Sequence, residues 1–281
     1  MRNGDRGAQC PLAESTRIAP GKPLNVKSNI FKRGFLSLVA TQFFGAMNDN
    51  VLKVVLGYMV VAGNPWGERF GFGGQGFIGF CFAIPFVLLS GFAGQVADRR
   101  SKRTVTRWVK AVEIPIALIG GIGFYTDNAW ITLLALIALA CQSSFFGPAK
   151  YGMIPELVDE SDLSRANGTI NMMTNVAVIL GTMIGGMVKG LYSPNPDVDP
   201  TGVVAPAAEG LMWLPGVTLL VIALAGLVAM MFLTPLKVGA PNLKYNYNPF
   251  STYIDVIREM SKTRLLMVMM AWGYFYLLAT I

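Results

Sequence analysis

Gly94-Gln95-Val96-Ala97-Asp98-Arg99-Arg100-Ser101-Lys102-Arg103 is a short polar break between two apolar stretches, 76–97 and 105–125. A helix needs about 20 apolar residues to cross the hydrocarbon of a bilayer, and each flank supplies that length. The break therefore reads as a tight turn at a membrane surface. Arg99, Arg100, Lys102 and Arg103 make it strongly basic. Lys and Arg gather in short loops on the cytoplasmic side, so this turn is expected to face the cytoplasm.

Outward from the turn, the rest of the chain is equally apolar. Hydrophobic residues make up 53% of its 281 residues and charged ones 14%, and the mean hydropathy is +0.49. These values exclude an ordinary soluble domain. The formal net charge of +7 would suit nucleic acid, but 19 of the 23 Lys and Arg fall in 1–33, 98–107, 150–165 and 235–264, alternating with nearly uncharged connections. That alternation is the positive-inside pattern. It places the N-terminus in the cytoplasm, makes the membrane the partner and leaves no role for nucleic acid. The chain has no His, which removes the commonest general base, the Ser-His-Asp and Cys-His arrangements and most metal sites. Cys10, Cys81 and Cys141 are scattered without a CxxC spacing, so neither a disulfide framework nor a zinc site follows. No metal or cofactor is expected.

Residues 1–33 carry seven basic residues and no apolar core, and read as a disordered cytoplasmic tail rather than a secretory signal. Six spans follow, at 34–61, 76–97, 105–125, 129–151, 166–190 and 211–234. The external connections are 62–75, the turn Thr126-Asp127-Asn128 and 191–210. A cytoplasmic linker occupies 235–264, where Phe250, Tyr253, Ile254, Ile257 and Met260 recur at helical spacing and predict an amphipathic helix. A seventh apolar run, 265–281, is short for a crossing and reads as a helix cut before its end. An internal repeat fits this partition, because Phe43-Phe44-Gly45-Ala46 in span 1 recurs as Phe145-Phe146-Gly147-Pro148 in span 4.

Span 1 contains Asn48-Asp49-Asn50 and Lys53 near its middle. A central Asp or Lys costs about 2.5–3.5 kcal/mol on an insertion scale, and such residues persist where they face a partner or a cavity. Asp49 and Lys53 lie four apart and share a helix face. One reading is a self-satisfied pair. The other is a cavity wall with an anion-binding Lys53 and a cation- or proton-binding Asp49, which the flanking Asn48 and Asn50 favour. In span 3, Arg107, Lys110 and Glu113 follow at helical spacing. The first two are expected to snorkel to the interface, while Glu113 is expected either to bridge to Lys110 or to contact the loop at 98–103. Gly147-Pro148 should weaken span 4, with Ser143, Ser144 or water taking up the freed carbonyls. Gly181, Gly185, Gly186 and Gly190 in span 5 predict a close helix contact.

The pattern Gly94, three residues, Asp98-Arg99, then Lys102-Arg103 resembles the signature loop between helices 2 and 3 of the major facilitator superfamily of secondary transporters, with Ser101 where that family has Gly. Thr41-Gln42-Phe43-Phe44-Gly45-Ala46-Met47-Asn48-Asp49-Asn50-Val51-Leu52-Lys53 is similar to the QFxGAxNDNxxK segment of the bacterial lysophospholipid transporters. Gln142-Ser143-Ser144-Phe145-Phe146-Gly147-Pro148-Ala149-Lys150-Tyr151-Gly152, with Ile154-Pro155-Glu156-Leu157 and Ala166-Asn167-Gly168, is similar to that family's second long motif. The likeness covers 34–234.

It implies an all-α membrane protein, the N-terminal six-helix half of a facilitator built from two inverted three-helix repeats, followed by the start of helix 7. It also implies flipping of lysophospholipid, chiefly lysophosphatidylethanolamine, across the bacterial inner membrane by alternating access, in partnership with a second half that this sequence lacks. On this resemblance Asn48, Asp49, Asn50, Lys53, Gln142, Ser143 and Ser144 line the substrate path. Gly94, Asp98, Arg99, Lys102, Arg103 and Glu113 form the cytoplasmic gate. Some members of the family are fused to an acyltransferase and acyl-carrier-protein synthetase, an activity these residues do not contain. A facilitator for another solute, such as a drug or sugar, is a rival reading, as is a non-transporting scaffold.

Overall fold

The computed structural model describes residues 32–61, 65–71, 73–193, 210–236 and 249–280. The tail 1–31 and the central stretches of the long external connection and the linker, 194–209 and 237–248, lie outside the described residues. Among those residues the structure is helical without strands. The helices are α1 (Arg33–Met59), the single turn α2 (Gly67–Phe70), α3 (Gly74–Arg99), α4 (Lys102–Tyr125), α5 (Ala129–Leu157), α6 (Leu163–Tyr192), α7 (Leu214–Met231), α8 (Pro249–Ser261) and α9 (Leu265–Thr280). The basic break contracts to a two-residue connection, Arg100-Ser101, between α3 and α4.

The helix starts follow from local chemistry. Asn128 caps α5, its side-chain oxygen accepting from the amides of Trp130 at 3.0 Å and Ile131 at 3.3 Å. Pro215 sits in the first turn of α7, where its missing donor is not needed. Gly73, at φ 102°, supplies the left-handed residue from which α3 begins.

Two expectations are corrected. The fourth span does not end at 151: α5 continues through Pro148 and Pro155 to Leu157. Met153, Ile154 and Leu157 are buried in the core there, and that packing outweighs the local breakers. Neither serine compensates Pro148 in the way expected. The Ser144 hydroxyl donates to the Cys141 carbonyl at 2.6 Å, and the Ser143 hydroxyl turns to Asp49. Second, five of the six long helices, α3 to α7, are apolar enough to cross a membrane, but α1 is not among them. At 27 residues it has the length, and its polar residues are the reason. It is tolerated because α1 lies inside the bundle, packed by α5, α6 and α7.

The packing repeats. Exchanging α1 with α5, α3 with α6 and α4 with α7 carries the main contacts onto one another: α1 on α6 matches α5 on α3, and α1 on α7 matches α5 on α4. The contact of α4 with α7 maps onto itself. There the backbones cross at Gly121 and Gly216, and a Cβ added to either would stand 2.9 or 2.7 Å from the Cα of the other. Since three crossings separate the two units, they run in opposite directions, as in inverted-repeat transporters. The chain is an all-α membrane protein built as two three-helix units. Gly181 and Gly185 of α6 give α1 its close approach, with Met47 O 2.8 Å and Val54 Cγ1 2.9 Å from an added Cβ, whereas Gly186 and Gly190 face open space.

The core is divided. One apolar cluster includes Phe35, Val105, Ile154 and Met230, on the side of the basic connection. The other includes Leu52, Ile116, Leu136 and Ile222, toward the opposite end. Between them, on five of the six long helices, the side chains turn polar or vanish: Gln42 on α1, Lys110 and Glu113 on α4, Gln142 and Ser143 on α5, Thr174 on α6 and Gly226 on α7; α3 contributes Phe82 and Phe86 at this level.

Candidate functional site

This polar belt surrounds a cavity of about 230 Å³ lined from α1, α3, α4, α5 and α6. Asp49 enters it from α1. Its carboxylate accepts from the Ser143 hydroxyl at 3.0 and 3.3 Å, and Ser143 accepts in turn from the Gln142 amide at 3.3 Å. Opposite, the Gln42 amide donates to the Thr174 hydroxyl at 3.0 Å, tying α1 to α6. The Asn50 amide donates to the Ala46 carbonyl of its own helix at 2.8 Å while its residue borders the cavity.

On the α4 side of the cavity lies a buried ion pair, whose Lys110 belongs to the lining. Lys110 Nζ donates to Glu113 Oε2 at 2.6 Å with side-chain exposures of 1% and 0%, and Glu113 Oε1 accepts from the Asn48 amide at 2.7 Å. The Lys110 ammonium also stands 5.7 Å over the Phe146 ring. Gly45 makes room for it, since a Cβ there would fall 2.6 Å from Nζ. Burial of a charge is tolerable only when it is paired and hydrogen-bonded, and this arrangement supplies both. Two buried oxygens, Asn48 Oδ1 and Gln142 Oε1, lack a partner among the described residues.

Of the residues expected on the substrate path, Asp49, Asn50, Gln142 and Ser143 line this cavity and the other three do not. Asn48 bonds Glu113, Ser144 bonds its own helix, and Lys53 leaves Asp49 to lie 5.4 Å over the Phe82 ring. No Asp49–Lys53 ion pair is present among the described residues: the shared helix face does not bring the two charges together. Lys110 does not snorkel to the interface, and Glu113 bridges to it rather than reaching the loop at 98–103.

Lys150, quoted in a motif but given no role, lines the cavity from α5. It is 9% exposed, stands 4.5 Å over the Tyr151 ring and has no ion-pair partner among the described residues. Besides the paired Lys110, the cavity thus holds one carboxylate, Asp49, and one ammonium, Lys150, that have no ion-pair partner at contact distance among the described residues. The sequence signal for Lys150 was a basic residue after Gly-Pro, inside a helix rather than beyond it.

At the connection, Lys102 is buried and bonded to Glu156, which joins the basic turn to the second long motif. Ser101 donates to the Leu236 carbonyl at 3.4 Å, so the turn also holds the chain leaving α7. Asp98 is exposed, and Arg99 and Arg103 are half-buried. Gly94 has open space where a Cβ would stand, so nothing among the described residues requires a glycine there.

Residues 38–281 match the Major Facilitator Superfamily. Among curated proteins, the lysophospholipid transporter LplT of Photorhabdus laumondii is 28% identical over 167 residues, covering 59% of this chain and 39% of that protein. The protein of the same name from Cronobacter sakazakii is 30% identical over 165 residues, 57% of this chain and 38% of that protein. That of Enterobacter sp. strain 638 is 25% identical over 257 residues, 89% of this chain and 57% of that protein. The chain spans about two fifths to three fifths of the length of these relatives. By its helices, its repeated packing and this match, the chain belongs to the Major Facilitator Superfamily, and within it its similarity runs to the lysophospholipid transporters.

Proposed function

We propose that this bundle is one half of a transporter that moves lysophospholipid across the bacterial inner membrane by alternating access, with lysophosphatidylethanolamine as the substrate and the polar cavity as the site of its head group. A second six-helix half completes the path. The observation that carries the reading is a carboxylate and an ammonium, Asp49 and Lys150, in one small cavity and each without an ion-pair partner among the described residues. A zwitterion satisfies both: its ammonium meets Asp49 and Ser143, and its phosphate meets Lys150. At about 230 Å³ the cavity lies below the range of sites that enclose a drug-sized molecule, about 300–1,000 Å³. It suits a head group whose acyl chain stays in apolar surroundings. Lys150 takes the role first given to Lys53, because Lys53 does not border the cavity. The N-terminus and the basic connection face the cytoplasm, and Asp98 and Arg99 belong to a gate closed against the second half.

The test uses the full-length protein in vesicles and two substrates that differ in the ammonium. Asp49→Asn should lower uptake of lysophosphatidylethanolamine and spare lysophosphatidylglycerol, which has no ammonium, whereas Lys150→Met should lower both. Equal loss of both substrates in Asp49→Asn would remove Asp49 from head-group recognition.

A further inference from the structure

A second cavity lies outside the polar belt. α3 and α4, although joined by only two residues, scarcely touch beyond their connection, and both pack on α5. Between them opens a groove of about 900 Å³ with α5 as its floor. Its lining is apolar except for Arg100 and Thr104 at the connection and Gln142, whose residue also borders the polar cavity. Trp108 stands in its mouth, 67% exposed, and no described element covers it.

We infer that this groove holds a diacyl phospholipid with an anionic head, taken from the leaflet on the side of the α3–α4 connection. This is a resident lipid and does not depend on the substrate reading above. Length supports it: on α4 the lining runs from Thr104 to Ile116, which at 1.5 Å per residue is about 18 Å. One leaflet of a 30 Å hydrocarbon core is about 15 Å deep. An acyl chain therefore fills the groove when the head group sits level with the connection. Charge supports it too. Arg100 borders the groove at that level, and Asp98 is the lone acidic residue in 98–107. Lys102, by contrast, is taken by Glu156. Basic pockets between membrane helices near the headgroup plane select anionic lipids, and the arginine guanidinium forks onto phosphate oxygens.

The experiment is quenching of Trp108 in the full chain, reconstituted in phosphatidylcholine vesicles. The vesicles are doped with brominated phosphatidylglycerol or, separately, brominated phosphatidylcholine. The Trp108 signal is the difference between the parent protein and Trp108→Phe. At equal low mole fraction, the anionic lipid should quench Trp108 severalfold more than the zwitterionic one. Arg100→Gln should bring the two together while Arg103→Gln, outside the lining, leaves the preference in place. Ala138→Phe, which fills the floor, should reduce quenching by either lipid with helicity unchanged by circular dichroism. Equal quenching by both lipids in the parent overturns the proposal. So does loss of the preference in Arg103→Gln to the same degree as in Arg100→Gln, because that outcome describes diffuse surface charge rather than a site.

Discussion

Glu113→Leu is the substitution whose cost the structure defines best. It leaves the Lys110 ammonium buried without its carboxylate and removes the acceptor of the Asn48 amide. Breaking a buried pair from one side costs about 3–5 kcal/mol, and a buried amide left without its bond about 1–3 kcal/mol. The overlap of the two effects puts the loss at roughly 4–6 kcal/mol. At about 2–4 °C per kcal/mol for a chain of this order of size, the midpoint of unfolding should fall by roughly 10–20 °C. The double replacement Lys110→Met, Glu113→Leu removes both charges at similar volume and should regain at least half of that loss, since an apolar pair often matches a buried ion pair in stability. Adding Asn48→Leu should regain more. Thermal unfolding in detergent, read by a thiol-reactive dye that reaches buried Cys81 only on unfolding, gives all four midpoints. A single Glu113→Leu midpoint within about 2 °C of the parent, or a double variant no better than the single, would refute the account of this pair.

Gly45→Ala pushes a methyl to 2.6 Å from Lys110 Nζ, which Glu113 holds in place, so it should cost about 1–3 kcal/mol. Gly147→Ala, its counterpart on α5 with nothing within 4 Å, should be neutral or stabilising by up to about 1 kcal/mol. Equal midpoints for the two would remove the steric argument. Glu156→Gln should cost only about 1–2 kcal/mol, below the fully buried pair, because its carboxylate is partly solvated. The charge swap Lys102→Glu with Glu156→Lys should restore most of it, checked by the same unfolding assay. Single-cysteine labelling in intact cells should modify Thr126→Cys from outside and not Arg100→Cys, and the reverse would invert the topology.

The positions of the long helices were legible because each needs a run of apolar residues long enough to cross a bilayer, and the polar connections interrupt those runs plainly. Their ends were less so. Pro155 is a breaker by local rules, yet Ile154 and Leu157 are core residues, and tertiary packing carried α5 six residues past the expected end at 151. The site was half legible. Asp49, Asn50, Gln142 and Ser143 announce themselves as polar residues at mid-span. Which of them meet is decided by rotamers and by helices far apart in sequence. Spacing puts Asp49 and Lys53 on one face, but Asp49 reaches Ser143 at a separation of 94 residues, and Lys53 finds an aromatic face. Lys110 was misread because its distance from the membrane surface, along α4 alone, suits snorkelling. The cue to the contrary lay elsewhere, in the small residues Gly45 and Gly226 that leave space for its ammonium.

The crossing of Gly121 on Gly216 joins the C-terminal part of α4 to the first turn of α7. Elsewhere in a bundle a larger residue on one helix can be answered by a smaller one on its neighbour, because the atoms that meet belong to side chains. Here the atom nearest an added Cβ is the other glycine's Cα on both sides, and a main chain has nothing to give up. Enlargement on either helix must push the two backbones apart. The crossing therefore acts as a fixed spacer between the three-helix units, while the cavity, with Asp49 on one unit and Lys150 on the other, can change its side chains without disturbing it.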